Sequence, residues 1–264
     1  MSDHDLLRTM TTAARTVGRL VAATPVRTPA ATSWAEFRER FEPLDQDATA
    51  LFKDQLAGLR PDAVWAGELG AHTPGTGEVW VADPVDGAVQ FLQDMPYWSV
   101  SLTLVRDRRP VATVLHAPLR GETVTALAGH GAFRDGVPLR PSLKTDLTLA
   151  LLGTSQPPLV ASQPSAVREA GRSLSAVLPH VGAVRNLGPT SWQVADTAAG
   201  RLDAFWEYGT DDTNLVGGAL VAAEAGLRVT DLGGRPWSIG ATSFLAAPAQ
   251  LHGRLLDLLE APAG

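Results

Sequence analysis

The pair of aspartates near residue 85 has the clearest chemical meaning in this sequence. Segment 83–87 reads Asp-Pro-Val-Asp-Gly, follows the apolar run 80–82 and precedes a helical run that begins at Val89. Carboxylates at this spacing repel each other unless a cation lies between them. Gly87 lets backbone come close to a ligand at a helix start, where unpaired N–H groups suit a phosphate. Because Mg²⁺ prefers a few carboxylates together with phosphate oxygens, the segment predicts a magnesium and phosphate site. The alternative is a turn with solvated acids.

A third carboxylate lies upstream of this pair. The short apolar run that begins at Val64 ends in Gly67-Glu68. A second strand of the same sheet could therefore present Glu68 beside the two aspartates.

The motifs resemble, in content and in order, those of the inositol monophosphatase family of magnesium-dependent phosphatases. That family's pattern is Gly-Glu, then Trp-x-x-Asp-Pro-x-Asp-Gly-Thr-x-Asn-Phe, and later Trp-Asp before a helix of small residues. Residues 80–91 of this chain read Trp-Val-Ala-Asp-Pro-Val-Asp-Gly-Ala-Val-Gln-Phe. Similar segments follow in the family's order over nearly the whole chain, at 129–133, 200–205, 223–226 and 229–231. The resemblance implies an α/β (α+β) fold, a layered αβαβα sandwich with the site where two halves meet.

The resemblance also implies roles for individual carboxylates. Asp45 stands where the family has an acid that works with a threonine to polarise the attacking water. The catalytic set implied in this way comprises Asp45, Glu68, Asp83 and Asp86. The implied ligand positions for two magnesium ions are Glu68, Asp83, the Val85 carbonyl, Asp86 and Asn214.

Substrate-binding positions follow from the same resemblance. The N–H groups of Gly87 and Ala88 resemble the family's phosphate cradle. Gly188 and Thr190 lie at another helix start on the pocket rim, and Glu207 matches a residue that hydrogen-bonds a substrate hydroxyl.

Several of these positions depart from the family's pattern. Ala88 stands where the family has the threonine, so Asp45 lacks the hydroxyl through which it would act. Loss of water activation costs about two to four orders of magnitude in rate. Asn214 stands where the family has aspartate, and an amide is a poorer ligand for a hard cation, so the second metal is expected to bind weakly. Pro189 removes one N–H from the rim.

Three functional hypotheses follow. The first is a magnesium-dependent phosphomonoesterase for a small polyol, sugar or nucleotide phosphate, with Asp211 or Asp212 as a substitute carboxylate. Acids that favour a helix N-terminus are the preferred interpretation of those two residues. The second is a non-phosphatase enzyme, for example in a biosynthetic pathway, that uses the pocket carboxylates as acid and base. The third is a non-catalytic binding protein, since a fold does not determine a function.

Hydrophobic periodicity predicts the elements that position these residues. Helices are predicted at 5–23, from Asp45 to Leu59, and at 166–178, 191–199, 214–225 and 248–259, with a loop at 24–32. Strands are predicted at 64–67, 79–82, 97–105, 110–116 and 123–128, as a largely antiparallel meander. A polar, Pro-containing stretch near 140–147 divides the chain into halves 1–143 and 144–264, the second of which alternates strands and helices.

Composition limits the classes of partner and chemistry. The 264 residues carry a net charge of −6 with no basic run, which argues against nucleic acid as the main partner. There is no cysteine, which excludes disulfides, thiolate catalysis and Cys-ligated zinc. Residues 1–20 resemble neither a signal peptide nor a membrane span, so we expect a cytoplasmic protein with a small-molecule substrate. The resemblance leaves a homodimer open.

Overall fold

The computed structural model describes residues 3–25, 31–66 and 76–260. Gly67 and Glu68, predicted to end a strand and to carry a metal ligand, lie outside the described residues.

The described chain contains seven α-helices, and five of them confirm predicted helices to within two residues at each end. Apolar residues at three- and four-residue spacing form the buried face of α1, as the sequence predicted. The helices are α1 (Asp3–Ala23), α2 (Trp34–Leu56), α3 (Ala88–Leu92), α4 (Pro164–Val177), α5 (Thr190–Ala198), α6 (Asp212–Glu224) and α7 (Ala249–Glu260).

Seven strands form the first sheet in the order of the chain. β1 runs parallel to β2, and every later neighbour is antiparallel. The predicted meander is confirmed. Its strands are β1 (Val64–Ala66), β2 (Glu78–Asp86), β3 (Ser99–Arg106), β4 (Arg109–Ala117), β5 (Glu122–Leu127), β6 (Ala132–Arg134) and β7 (Val137–Pro138).

Five strands form the second sheet in the order β11-β12-β10-β8-β9. The pairs β8–β9 and β8–β10 are parallel, because α4 and α5 provide the crossovers that parallel strands need. The other two pairs are antiparallel. The strands are β8 (Leu151–Thr154), β9 (Ala183–Arg185), β10 (Ala204–Tyr208), β11 (Arg228–Thr230) and β12 (Ser243–Ala247).

The helices and sheets stack as five layers. Helices α1 and α2 pack on one face of the first sheet, and α5 and α6 lie between the two sheets. Helices α4 and α7 cover the outer face of the second sheet. Separate clusters of buried apolar side chains fill these interfaces. The predicted αβαβα sandwich is confirmed. The predicted division into halves 1–143 and 144–264 stays a prediction.

The predicted start of the second helix is wrong. Helix α2 begins at Trp34, eleven residues before Asp45, which therefore lies inside the helix. Ser33 accepts a hydrogen bond from the N–H of Glu36, and Glu36 accepts one from the N–H of Thr32. Reciprocal bonds of this kind mark a helix start, and the Ser-x-x-Glu pattern in the sequence was the missed signal.

No helix in the described part of the chain combines the length and the hydropathy that spanning a bilayer requires.

Close packing of α6 against the first sheet depends on Gly217. A Cβ at this position would lie 2.7 Å from Thr103 Oγ1 and 2.8 Å from Thr113 Oγ1, two buried hydroxyls that hydrogen-bond each other. We expect Gly217→Ala to lower the free energy of unfolding by about 1–3 kcal/mol through overpacking.

The matched control is Gly253→Ala in α7, where an added Cβ meets nothing within 4 Å. Better helix propensity alone should raise the free energy of unfolding there by up to about 1 kcal/mol. Urea unfolding of both variants checks the signs, and a stabilising Gly217→Ala would contradict the packing described.

Candidate active site

A β-bulge at the end of β2 puts Asp83 and Asp86 on the same face of the sheet. Asp83 pairs with Ser101 and Asp86 with Ser99, so three steps along β2 match two steps along β3. In a regular strand, residues three apart point to opposite faces. The extra residue in the bulge shifts the alternation of side chains by one position, so both carboxylates point to the same face of the sheet. Pro84 suits the bulge because it has no N–H to donate to the ladder.

The bulge extends β2 beyond residue 82, where the sequence predicted that the strand ends. The strand continues to Asp86, and Val85 lies inside the bulge with its side chain buried. The N–H of Val85 donates to Asp83 Oδ1 at 3.0 Å, which orients that carboxylate. The metal-ligand role of the Val85 carbonyl stays a prediction.

Both aspartates are held in surroundings that disfavour their charged form. Asp83 keeps part of its surface open, yet desolvation raises its pKa to about 7, and the nearby Asp45 and Asp211 add repulsion. Desolvation, followed by repulsion from Asp83, raises the pKa of Asp86 well above its ordinary value.

Two further acids come from the second half of the chain. Glu207, in β10, is fully buried, and Asp211 lies just before α6. Burial, and then repulsion from Asp211, raises the pKa of Glu207 well above its ordinary value. Burial raises the pKa of Asp211 to about 6. Glu207 Oε1 and Asp211 Oδ2 are buried and accept no hydrogen bond from an N–H or hydroxyl group of the described residues. The two carboxyls interact with each other, and this contact raises the pKa of Glu207 and lowers that of Asp211.

Hydroxyl groups orient the buried acids. Thr190 Oγ1 donates to Glu207 Oε2 at 3.2 Å. Ser191, in the first turn of α5, donates to Asp86 Oδ2, and Ser99 donates to the same oxygen at 3.4 Å. Thr190 and Ser191 are consecutive residues, so the first turn of α5 connects Glu207, a predicted substrate contact, with Asp86 of the predicted aspartate pair.

The side chain of Asn214 hydrogen-bonds the side chain of Asp211. The Asn214 side-chain amide donates to Asp211 Oδ1 at 2.7 Å. Asp211 is the N-cap residue of α6 and Asp212 lies in its first turn, where the preferred interpretation from the sequence placed them. Asp211 makes no side-chain cap hydrogen bond, and Asp212 accepts one from the N–H of Gly240. The carboxylate at this corner of the site is thus that of Asp211, and the ligand role of Asn214 stays a prediction.

Helix α2 forms one wall of a cavity of about 300 Å³ beside Asp83. Asp45, Thr49 and Lys53 follow one another at four-residue spacing, so they share a face of the helix, and all three line the cavity. Burial raises the pKa of Asp45. Further lining comes from Trp65, Ala66, Ala82, Pro84 and Thr213.

The predicted phosphate cradle lies at the N-terminus of α3. Gly87 has φ +99°, and a Cβ there would lie 2.9 Å from the Tyr97 carbonyl oxygen, so only glycine fits. Ala88 is the first residue of α3, where N–H groups lack intrahelical partners. The predicted phosphate contacts of both residues stay predictions.

Gly188 lies close to this cradle. It has φ +51°, and a Cβ there would lie 2.0 Å from Gln90 Nε2, so the Gln90 amide packs directly on the glycine. Pro189 precedes the first turn of α5 as its N-cap. The substrate contact predicted for Gly188 stays a prediction.

The donor set of the site fits a hard cation. Its acids offer only oxygen, and no basic side chain of the described residues is among the main influences on the pKa values of Asp83, Asp86, Glu207 or Asp211. Within the described residues no three His, Cys, Asp or Glu side chains form a metal site by themselves. Mg²⁺ does not require one, because it is usually bound by one or two carboxylates, waters and a substrate phosphate.

Sequence reasoning missed Ser99, Ser191 and Thr49. Ser191 directly follows the predicted rim residue Thr190, and Thr49 lies one helical turn after Asp45, so helical spacing was the available signal for both. Ser99 had no local signal, because its contact with Asp86 depends on strand register.

Comparison with known sequences settles the family. A sequence profile described as the inositol monophosphatase family matches residues 5–262. This chain belongs to the inositol monophosphatase family. It is 32% identical over 222 residues to an inositol-1-monophosphatase of Rhizobium meliloti, covering 83% of this chain and 82% of that protein. It is 35% identical over 186 residues to the Nus factor SuhB of Pseudomonas aeruginosa, covering 68% of each.

Solved structures show the family's fold in the same arrangement. The inositol monophosphatase of Anabaena (Nostoc) sp. superposes with a TM-score of 0.83 at 23% identity, covering 98% of this chain and 97% of that one. Mycobacterium tuberculosis SuhB superposes with a TM-score of 0.78 at 29% identity, covering 97% and 96%. The family assignment and the fold therefore agree.

Repulsion and desolvation among the buried acids should be measurable as a stability cost. In metal-free protein at about pH 8, we expect Glu207→Gln to raise the free energy of unfolding by about 1 kcal/mol or more, because the folded wild type must either bury the carboxylate charge or protonate the group. The pKa of Glu207 in the folded state is raised, so its contribution to stability is lost as pH rises above 4.5. The advantage of the variant should therefore grow with pH.

Asp203 provides the control. It is also buried, but it accepts hydrogen bonds from Lys144 at 2.8 Å and from the N–H of Leu151 at 2.6 Å. Asp203→Asn should lower the free energy of unfolding by about 1.5–3 kcal/mol. Denaturant titration with a chelator present compares the two, and destabilisation by Glu207→Gln would contradict the described electrostatics.

Proposed function

We propose that this member of the inositol monophosphatase family is a magnesium-dependent phosphomonoesterase for a small polyol, sugar or nucleotide phosphate. The observation that carries the proposal is the group of four acids, Asp83, Asp86, Glu207 and Asp211, of which Asp83 is half-buried and the others buried, with no basic side chain of the described residues among the main influences on their pKa values. A cation and a phosphate together would satisfy the charges and the open hydrogen-bonding sites of this group.

Asp83 and Asp86 would hold magnesium, with the Val85 carbonyl and Glu68 as the further predicted ligands. When bound, magnesium neutralises charge on a transferring phosphoryl group and lowers the pKa of bound water. The two hydroxyls on Asp86 Oδ2 hold that carboxylate in one orientation, which leaves Oδ1 for a ligand.

The other residues would bind and orient the substrate. The N–H groups of Gly87 and Ala88 would donate to phosphate oxygens at the start of α3. Glu207, oriented by Thr190, would hydrogen-bond a hydroxyl of the alcohol portion. The cavity of about 300 Å³ is at the small end of ligand sites, which favours a compact substrate.

Asp211 would replace the carboxylate that the resemblance places at Asn214. Its Oδ2 is buried and accepts no hydrogen bond from an N–H or hydroxyl group of the described residues, and its charge interacts with those of Asp83 and Asp86. The Asn214 amide holds the other oxygen. Asp211, oriented by the Asn214 amide, would thus supply the carboxylate that the family has at position 214.

The first test of the function is phosphate release. We expect wild-type protein with Mg²⁺ to release inorganic phosphate from a panel of polyol, sugar and nucleotide monophosphates. Asp83→Asn should lose more activity than the roughly 10–100-fold that outer-shell changes at metal sites cost. Asp54→Asn, an exposed acid on α2, serves as the control and should keep full activity.

Release of no phosphate by well-folded wild type would reject the proposal. A small molecule or protein that co-purifies with such an inactive chain would then favour the non-phosphatase enzyme or the binding protein.

An exchange of side chains tests the role of Asp211. We expect Asp211→Asn to raise the Mg²⁺ concentration for half-maximal activity about 10–100-fold. The double variant Asp211→Asn, Asn214→Asp keeps one carboxylate and one amide and should recover most of the loss. Equal Mg²⁺ dependence of wild type and Asp211→Asn would exclude a ligand role for Asp211.

A further inference from the structure

The hydroxyl of Thr49 is not bonded in the way that helical threonines of this protein are. In α1, Thr9, Thr11, Thr12 and Thr16 each donate to the carbonyl four residues earlier, at 2.7–3.1 Å. Thr49 lies inside α2 with an equivalent carbonyl available at Asp45, yet it makes no hydrogen bond to a described residue. Its donor and its acceptor sites are therefore open.

Thr49 lines the cavity beside the acids. It is half-buried, lies one helical turn from Asp45, and lines the same cavity as Asp45, Asp83 and Pro84. A hydroxyl can accept one hydrogen bond and donate another, so it can connect a water in the cavity with the Asp45 carboxylate. Ala88, at the predicted phosphate cradle, offers no hydroxyl for this purpose.

We propose that Thr49 is a catalytic residue that, together with Asp45, activates the attacking water. The inference rests on the proposed phosphatase function. The water oxygen forms the new bond to phosphorus while its proton passes to Thr49 Oγ1, and the Thr49 proton passes to the Asp45 carboxylate. The ester P–O bond breaks with its electron pair on the leaving oxygen, which takes a proton from solvent. The products are the alcohol and inorganic phosphate.

Isosteric substitution gives the direct test. Thr49→Val keeps the shape of the side chain and removes the hydroxyl, and we expect kcat to fall about 10²-fold or more with KM little changed. Thr49→Ser should stay within about threefold of wild type, because it keeps the hydroxyl. Thr9→Val removes a half-buried helical hydroxyl far from the cavity and should leave kcat unchanged.

A second variant tests whether a hydroxyl at residue 88 can take over the role of the Thr49 hydroxyl. Ala88→Thr supplies a hydroxyl at the start of α3 and should restore kcat in the Thr49→Val background by about 10-fold or more, a larger gain than the same change gives in wild type. This non-additivity is not expected if Thr49 only supports the fold.

The outcomes separate the two proposals. If wild type releases phosphate and Thr49→Val keeps its kcat within about twofold, or Thr49→Ser is as defective as Thr49→Val, the role of Thr49 is rejected and the phosphatase function stands. If folded wild type releases no phosphate from any substrate, both proposals fail together.

Discussion

The site depends on which face of the sheet the side chains of β2 point to. Two aspartates three residues apart would lie on opposite faces of a regular strand, and a single extra residue in the bulge brings them together. The neighbouring Pro84 and Gly87 make this local geometry possible, the first by lacking an N–H and the second by its positive φ. The hydrogen bonds from Val85, Ser99 and Ser191 all act on these two carboxylates.

The second half of the chain completes the site because α5 and α6 approach the first sheet closely. Gly217 allows α6 to lie against buried threonine hydroxyls, and the turn before α6 then holds Asp211 among the acids. The first turn of α5 supplies Ser191 to Asp86 and Thr190 to Glu207. The site therefore exists only where the layers meet, and its unfavourable electrostatics are balanced by the packing of the whole sandwich.

Much of the fold could be predicted from the sequence, because helix and strand periodicities are local properties. The aspartate pair and the family were likewise readable from a short motif and the order of motifs, and the family profile confirms the latter. The start of α2 was missed because the apolar pattern after Asp45 outweighed the capping box at residues 33–36. The bulge was missed because proline and glycine after residue 82 suit the end of a strand as well as a bulge.

Other features depended on tertiary contacts that sequence spacing does not report. Asp211 and Asp212 are adjacent acids, yet only the turn geometry before α6 turns one towards the aspartate pair and ties the other to Gly240. The hydrogen bonds from Ser99 and Ser191 to Asp86 require the register of β3 and the placement of α5. Similarly, the open hydroxyl of Thr49 has no signature in the sequence beyond its spacing from Asp45.

The most direct test of the account is anomalous diffraction from crystals grown with Mn²⁺, which binds the oxygen ligands that suit Mg²⁺. The account predicts an anomalous peak in contact with the carboxylates of both Asp83 and Asp86, and loss of that peak in Asp83→Asn. A well-ordered structure of wild type with Mn²⁺ present and no peak at these carboxylates would contradict the claim that the bulged aspartate pair is a cation site.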